Sequence, residues 1–229
     1  MSTKQASGKS IQLNLGCGDI RPENWINVDS SLNAQLQKIP FFGKLLSEIL
    51  NFKLYDSDNV IYQNLNKKWP YADNSVDIIY SSHLFEHLYK NARDRFLKES
   101  YRCLKNTGRF RIVVPDLYQI CKKYISEYEN TNTQNTTEYI MWALNLHREG
   151  QYGNKINFFK RIFYDFLKYP HQHKYMYDSK SLKNLLKNAG FVNITESKYG
   201  KSSLIENIRD VEGKSESYLS VYLECQKII

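Results

Sequence analysis

Apolar and polar positions alternate from Ile11 to Leu15 and stop at Gly16-Cys17-Gly18. A period of two that ends in glycine predicts a short strand running into a tight turn. Trp25-Ile26-Asn27-Val28 is a second apolar run, and it ends in Asp29. Val60–Leu65 predicts a third strand with a polar end. Val76–His83 is almost continuously apolar, as expected for a strand covered on both faces. Arg109–Leu117 predicts a fifth strand that ends at Pro115, with Asp116 just beyond it. Between and after these runs the period changes to that of a helix. Asn91–Leu104 places Phe96, Leu97, Tyr101 and Leu104 on one stripe and stops at Lys105-Asn106-Thr107-Gly108. Leu117–Tyr128 and Tyr139–Leu146 are also helical, and Asp178-Ser179-Lys180-Ser181 caps a helix through Leu182, Leu185 and Leu186 that ends at Ala189-Gly190. Phe191–Ile194 and Ser217–Cys225 supply two last strands, which pair antiparallel at one edge.

Strands alternating with helices predict an α/β fold. The expected architecture is a Rossmann-like, doubly wound, mostly parallel seven-stranded sheet with an antiparallel C-terminal edge strand and helices on both faces. The 229 residues suit a single domain, 1–229. Two stretches interrupt the alternation. Residues 30–59 contain Ile39-Pro40-Phe41-Phe42-Gly43 and a short amphipathic run, which reads as an inserted lid-like segment over the strand ends or as a helix on a flank. Residues 130–177 begin with an Asn/Thr-rich stretch and continue rich in Tyr, Phe and Lys, which reads as a variable acceptor-side insertion.

Composition narrows the class. No apolar run approaches the roughly 20 residues of a membrane helix, and Met1–Ser10 lacks the apolar core of a signal segment. A cytoplasmic protein is the expectation. The four cysteines, Cys17, Cys103, Cys121 and Cys225, have no paired spacing, which argues against zinc or a disulfide framework. The net charge of +8 suits an anionic partner or a merely solvated basic surface, and no dedicated nucleic-acid segment is present. The 18 tyrosines concentrate after residue 118, where aromatic faces can form a sugar or base platform or a core with polar tips. Oligomeric state is not written in the sequence.

Strand, Gly-x-Gly, strand, acid is the outline of a nucleoside site. Glycine lets the backbone take positive φ and lie against a ligand, and an acid at the tip of the second strand can accept from a ribose diol. There is no third glycine for a dinucleotide and no Gly-Lys-Ser/Thr for a phosphate loop. The remaining fit is a ligand with an adenosine and no phosphate to cradle.

These residues, in order, resemble the class I S-adenosylmethionine-dependent methyltransferases. The likeness rests on Leu13–Gly18, Ile26–Asp29, Trp69-Pro70-Tyr71, Asp73–His83 and Glu86-His87-Leu88. Arg102-Cys103-Leu104-Lys105-Asn106-Thr107-Gly108-Arg109 stands where the family has an Arg-x-Leu-Lys turn, with Asn and Thr in place of Pro and Gly. The closest likeness is to small members with a shortened first crossover, often linked to surface-polysaccharide synthesis, since only about ten residues separate Gly16 from Val28. The resemblance implies S-adenosyl-L-methionine as cofactor, with Leu15, Gly16, Cys17 and Gly18 along the methionine moiety and Asp29 at the ribose. It puts Asn64 and Leu65 at the adenine, with Asn64 where many members carry Asp. Ser81 and His83 fall beside the sulfonium.

The expected activity is O-methylation of a sugar or glycan intermediate. Methylation of another small molecule or of RNA, and an inactive cofactor-binding scaffold, are the alternatives. Transfer to a hydroxyl needs a group that takes its proton, and histidine, with an ordinary pKa of about 6.5, is the usual one. His83 and His87 are candidates by position, with Glu86 on the same face if the segment is helical. Asp116 is a third candidate, and His147, His171 and His173 lie on the variable side. His87 has an alternative role in structural hydrogen bonding, and Cys17 reads as packing. A metal on His83, Glu86 and His87 lacks a further ligand that can be located in the sequence, so no metal is expected.

Overall fold

The computed structural model describes residues 10–31, 34, 59–130, 136–145, 172–212 and 219–228. Most of the 30–59 segment and residues 146–171, including His147 and His171, lie outside the described residues.

Seven strands form one sheet in the order β3-β2-β1-β4-β5-β7-β6. They are β1 (Gln12–Leu15), β2 (Ile26–Asp29), β3 (Ile61–Tyr62), β4 (Val76–Ser82), β5 (Leu104–Pro115), β6 (Val192–Glu196) and β7 (Ser220–Gln226). All neighbours from β3 to β5 pair parallel, whereas β7 runs antiparallel to both β5 and β6. The expected mostly parallel, doubly wound sheet with an antiparallel C-terminal element is therefore present. Among the described residues the α-helices are α1 (Lys90–Cys103), α2 (Leu117–Asn130), α3 (Thr136–Ala143), α4 (Ser179–Asn188) and the short α5 (Arg209–Glu212). No helix among the described residues is long and apolar enough to cross a membrane.

Alternation along the central strands divides the interior into two layers. Leu13, Leu15, Ile79, Phe110, Ile112, Leu223 and Cys225 face Phe96 and Leu97 of α1 and Leu182 and Leu186 of α4. Ile78, Tyr80, Val113 and Tyr222 point the other way, onto Trp25, Ile205, Ile208 and Val211. That second layer has an unusual cover. Parallel neighbours are ordinarily joined by a dozen or more residues carrying a helix. Here residues 16–25 pass from β1 to β2 through turns alone. The buried Asn14 and Asn27 brace this link: Asn14 Nδ2 donates to Ile20 O (2.8 Å) and Asn27 Oδ1 (3.0 Å), and Asn27 Nδ2 donates to Pro22 O (3.1 Å). The face that a crossover helix would cover is taken by the connection between β6 and β7, which carries Ile205, Ile208 and α5. No element is expected there from the sequence.

Arg111 fixes that connection. It is wholly buried in the middle of β5, donating to Glu212 Oε1 (2.6 Å), Glu224 Oε1 (2.7 Å) and Lys198 O (3.0 Å). Glu212 also accepts from Gly200 N at 2.6 Å. On the other layer Arg102 bonds Glu99 and the carbonyls of Trp69 and Tyr71, fastening the Trp69-Pro70-Tyr71 loop to α1. Two elements differ from expectation. Only Ile61–Tyr62 of the third run joins the ladder, and β5 begins at Leu104, so the Lys105–Gly108 turn lies within the strand rather than after the helix. Thr107 at φ 63° makes that turn, and Lys227 O accepts from its amide.

Removing one member of a buried ion cluster leaves the other charges unpaired, which costs about 3–5 kcal/mol. Arg111→Met will lower unfolding free energy by that order in urea titration, while the triple variant Arg111→Met, Glu212→Gln and Glu224→Leu will recover most of it. Asp178 caps α4, accepting from Ser181 N at 2.7 Å, and this bond holds its carboxyl below the usual carboxylate range. Because the folded form is the more acidic, its stabilisation is complete above the unfolded carboxyl's pKa and is lost as pH falls through the lowered folded one. Asp178→Ala will cost about 1 kcal/mol at neutral pH and progressively less in acid, as thermal melts across pH will show.

Candidate active site

The carboxyl ends of β1, β2 and β4 meet at the glycine turn. Gly16 and Gly18 take φ of +72° and +50°, the left-handed region that favours glycine. A side chain at Gly16 would press on Leu84 at 3.0 Å, whereas at Gly18 it would meet open space. The amides of Gly16 and Cys17 both donate to Val28 O (2.8 and 3.1 Å), which locks the turn onto β2. Gly18 N then donates to Asp29 Oδ2 at 3.2 Å, and Ser31 N to Asp29 Oδ1 at 2.6 Å. The glycine turn and the acid thus share one end of the sheet and one hydrogen bond. The Cys17 thiol is buried and pushed up to about 12, chiefly by that burial, so it stays protonated.

The predicted adenine side is next to them. Gln63 N donates to Asp29 O at 3.1 Å, and Leu65 is buried with its carbonyl accepting from Trp69 Nε1 (3.3 Å). Asn64 Oδ1 accepts from Asn66 N at 2.9 Å. Gln63 escaped sequence reasoning. It is buried, and neither atom of its side-chain amide has a hydrogen-bond partner among the described residues. A polar residue one place before the quoted Asn64-Leu65 pair was the only available signal. Ser81, at the end of β4, is wholly buried with its hydroxyl likewise unpartnered.

β4 leads into the histidines. His83 N donates to Val113 O at 3.0 Å, and His83 itself takes φ 49° before one turn of 3-10 helix, Phe85–His87. The helical-face expectation for His83 and His87 is therefore replaced by a bend. The bend still brings both rings to Glu86. His83 Nδ1 lies 3.3 Å from Glu86 Oε1 and its Nε2 lies 3.3 Å from Ser220 Oγ. His87 Nε2 is 3.9 Å from the same Glu86 oxygen, and His173 Nε2 is 4.0 Å from it. Burial holds His173 below the usual imidazole range. The strap carrying His173 is tied down by Lys174 N and Tyr175 N, which donate to Glu86 O at 2.8 and 3.1 Å. Such a long-range approach leaves no spacing signal in the sequence.

Asp116 stands apart in role. Its Oδ1 accepts from Tyr118 N (3.0 Å) and Gln119 N (3.3 Å), so the carboxylate caps α2. Burial is the leading cause that raises its pKa. An open cleft of about 720 Å³ is lined by Asp19, Arg21, Tyr199 and Arg209, on the short β1–β2 link rather than among the histidines.

Residues 13–112 match the family described as a methyltransferase domain. No curated protein matches the chain in sequence. Among solved structures, an S-adenosylmethionine-dependent methyltransferase from Archaeoglobus fulgidus aligns with a TM-score of 0.51 at 14% identity, over 96% of this chain and 87% of that one. One from Thermotoga maritima aligns with a TM-score of 0.45 at 15% identity, over 96% and 83%. A phosphoethanolamine N-methyltransferase from Haemonchus contortus, solved with S-adenosylhomocysteine, aligns with 0.46 at 12% identity, over 99% and 50%. The Archaeoglobus likeness is one of fold. The matched stretch covers less than half of the chain; it runs from β1 into β5, contains the glycine turn, Asp29, Ser81 and the His83–Glu86–His87 bend, and is similar over these residues to a methyltransferase domain.

Proposed function

We propose that the protein methylates a hydroxyl oxygen of a sugar or glycan intermediate, with His83 as the group that takes the proton. The observation that carries this reading is the pairing of His83 with the buried carboxylate of Glu86 at the end of β4, 3.3 Å apart. An imidazole oriented by a carboxylate is the usual arrangement of a general base.

The residues fit the cofactor. Gly18 opens on free space, Asp29 lies within reach of the turn, and the unpartnered Gln63 amide and Ser81 hydroxyl offer buried polar groups at the same sheet end. Buried polar groups without partners are costly unless a ligand satisfies them. Leu15, Gly16, Cys17 and Gly18 would line the methionine portion, Asp29 the ribose, Asn64 and Leu65 the adenine, and Ser81 and His83 the sulfonium end. When bound, S-adenosylmethionine supplies a methyl group on a sulfonium whose departure leaves a neutral thioether. Since that leaving group needs no proton, the protein's work is to align the acceptor oxygen and to receive its proton on His83. His87 and Asp116 are positioning residues in this reading: His87 holds the 172–175 strap through Gln172 O at 3.1 Å, and Asp116 fixes the start of α2.

Exposed aromatic faces favour a sugar over a purely apolar acceptor. Tyr175 is 53% exposed with Arg93 5.4 Å from its ring centre, and Tyr89 is 57% exposed with Lys174 at 5.5 Å. Apolar faces rimmed by donors suit the CH faces and hydroxyls of a pyranose. The four cysteines are free, which supports a reducing, cytoplasmic setting. The whole chain would act as one domain, with 30–59 an inserted lid-like segment and 130–177 a variable acceptor-side insertion.

Transfer of labelled methyl groups to a panel of sugars, sugar nucleotides, amines and RNA tests the acceptor class. Product on sugar hydroxyls is expected, and transfer confined to nitrogen, carbon or RNA acceptors would refute it. His83→Gln will lower kcat by about 10²–10⁴-fold while calorimetry finds S-adenosylmethionine binding within a few-fold of the parent; an unchanged kcat removes His83 from the chemistry. Asp29→Ala will weaken cofactor binding by roughly 10–100-fold, the scale of a lost charged hydrogen bond. The same calorimetric titration checks it.

A further inference from the structure

We infer that Glu86, His87 and His173 form a binding site for a divalent transition-metal ion, one that leaves coordination positions open to water or to an acceptor oxygen. One oxygen or ring nitrogen from each of the three residues lies within 4.8 Å of the others.

The geometry points to an ion through an electrostatic conflict. Glu86 is wholly buried, neither carboxylate oxygen makes a hydrogen bond among the described residues, and the nearest ring nitrogen to Oε1, His83 Nδ1 at 3.3 Å, leaves Oε2 without a partner of any kind. A buried carboxylate is costly unless it is hydrogen-bonded, paired, protonated or bound to a cation. The ring nitrogens of His87 and His173 stand 3.9 and 4.0 Å from Oε1, too far to donate hydrogen bonds to it. His87 Nδ1 is 3.1 Å from Gln172 O, an atom that only accepts, so Nδ1 carries the proton. When only Nδ1 carries a proton, Nε2 turns a bare lone pair toward the carboxylate. Two lone pairs facing one another across a gap repel, and a cation between them resolves it. A histidine whose other nitrogen donates to a backbone carbonyl is also how metal-bound imidazoles are oriented.

The site is held in place without the ion. Glu86 and His87 are consecutive on the 3-10 turn, and His173 is brought to them by the amides of Lys174 and Tyr175 on Glu86 O. Closing onto a metal at bond lengths of about 2.0–2.2 Å needs only small side-chain shifts. His87 and His173 remain 21% and 11% exposed, so solvent reaches one side. Two imidazoles with one carboxylate select zinc, iron or manganese over magnesium or calcium, and three protein ligands with a vacancy are the pattern of catalytic rather than structural zinc. Ion binding here is independent of the acceptor's identity and is read without turnover.

The test is a titration of the chelator-treated full chain with Co²⁺, followed by visible d–d absorption, with Zn²⁺ as the displacing ion. One equivalent is expected to saturate the spectrum. Glu86→Gln, His87→Ala and His173→Ala will each weaken binding at least tenfold, while His83→Gln, which removes a neighbour on the shared carboxylate and not a ligand, will weaken it less than any of the three. Circular dichroism melts will establish that each variant is folded. His173→Gln is the second variant at the strap. Absence of a saturable spectrum in the parent protein, or equal affinity in parent and folded ligand variants, would overturn the site.

Discussion

The link between β1 and β2 constrains the whole molecule. Two parallel neighbours joined by residues 16–25 leave no room for a crossover helix, so one face of the central strands would stand bare. Trp25, at the end of the link, covers part of that face by packing its ring edge-on at 6.2 Å from Tyr80. The rest of the cover comes from residues 199–212, far later in the chain, and these have little regular structure to hold themselves down. Arg111 does that instead. A buried guanidinium in a sheet interior is expensive, and here its partners lie on the replacement cover (Glu212) and on the neighbouring strand (Glu224). The ion cluster is therefore less a source of net stability than a device that specifies where a loop must sit.

The same short link sets the electrostatic character of the site. In dinucleotide folds the glycine turn opens a helix, whose partly positive N-terminus attracts phosphate. After Gly18 the chain runs through turns at Asp19, Ile20 and Pro22 and reaches β2 without forming a helix. No helix dipole from this link points at the ligand. The charges at this end of the sheet include the carboxylates of Asp29 and Glu86 and the guanidinium of Arg21, whose Nε donates to Gly18 O at 2.7 Å.

Features set by neighbours in sequence were legible from it. Most strands, the glycine turn, Asp29 at the tip of β2 and the Asp178 cap each depend on a few adjacent residues, and the structure has them where the patterns put them, with β3 shorter and β5 starting earlier than expected. What was not legible depends on distant parts of the chain. Residues 199–212 are apolar at Leu204, Ile205, Ile208 and Val211 with no sustained helical period, and only the absence of a crossover helix explains why they pack on the sheet. Gln63 became notable only through its burial. The run His83–His87 reads as helix because its spacing is right for one, yet His83 takes a left-handed conformation and the turn is 3-10. His173 reaches Glu86 because backbone amides clamp the strap, a contact with no local sequence signature.

Glu86 ties these parts together. Three imidazoles from two segments converge on one of its oxygens, at 3.3, 3.9 and 4.0 Å. Charge placed on that oxygen, whether a shared proton or a metal ion, is felt by all three rings at once, because the surrounding protein is a poor dielectric and the separations are short. The histidines cannot then be given independent roles. An ion held by His87 and His173 would draw on the same carboxylate that orients His83. The redundancy of histidines around one buried acid is on this view a single coupled unit.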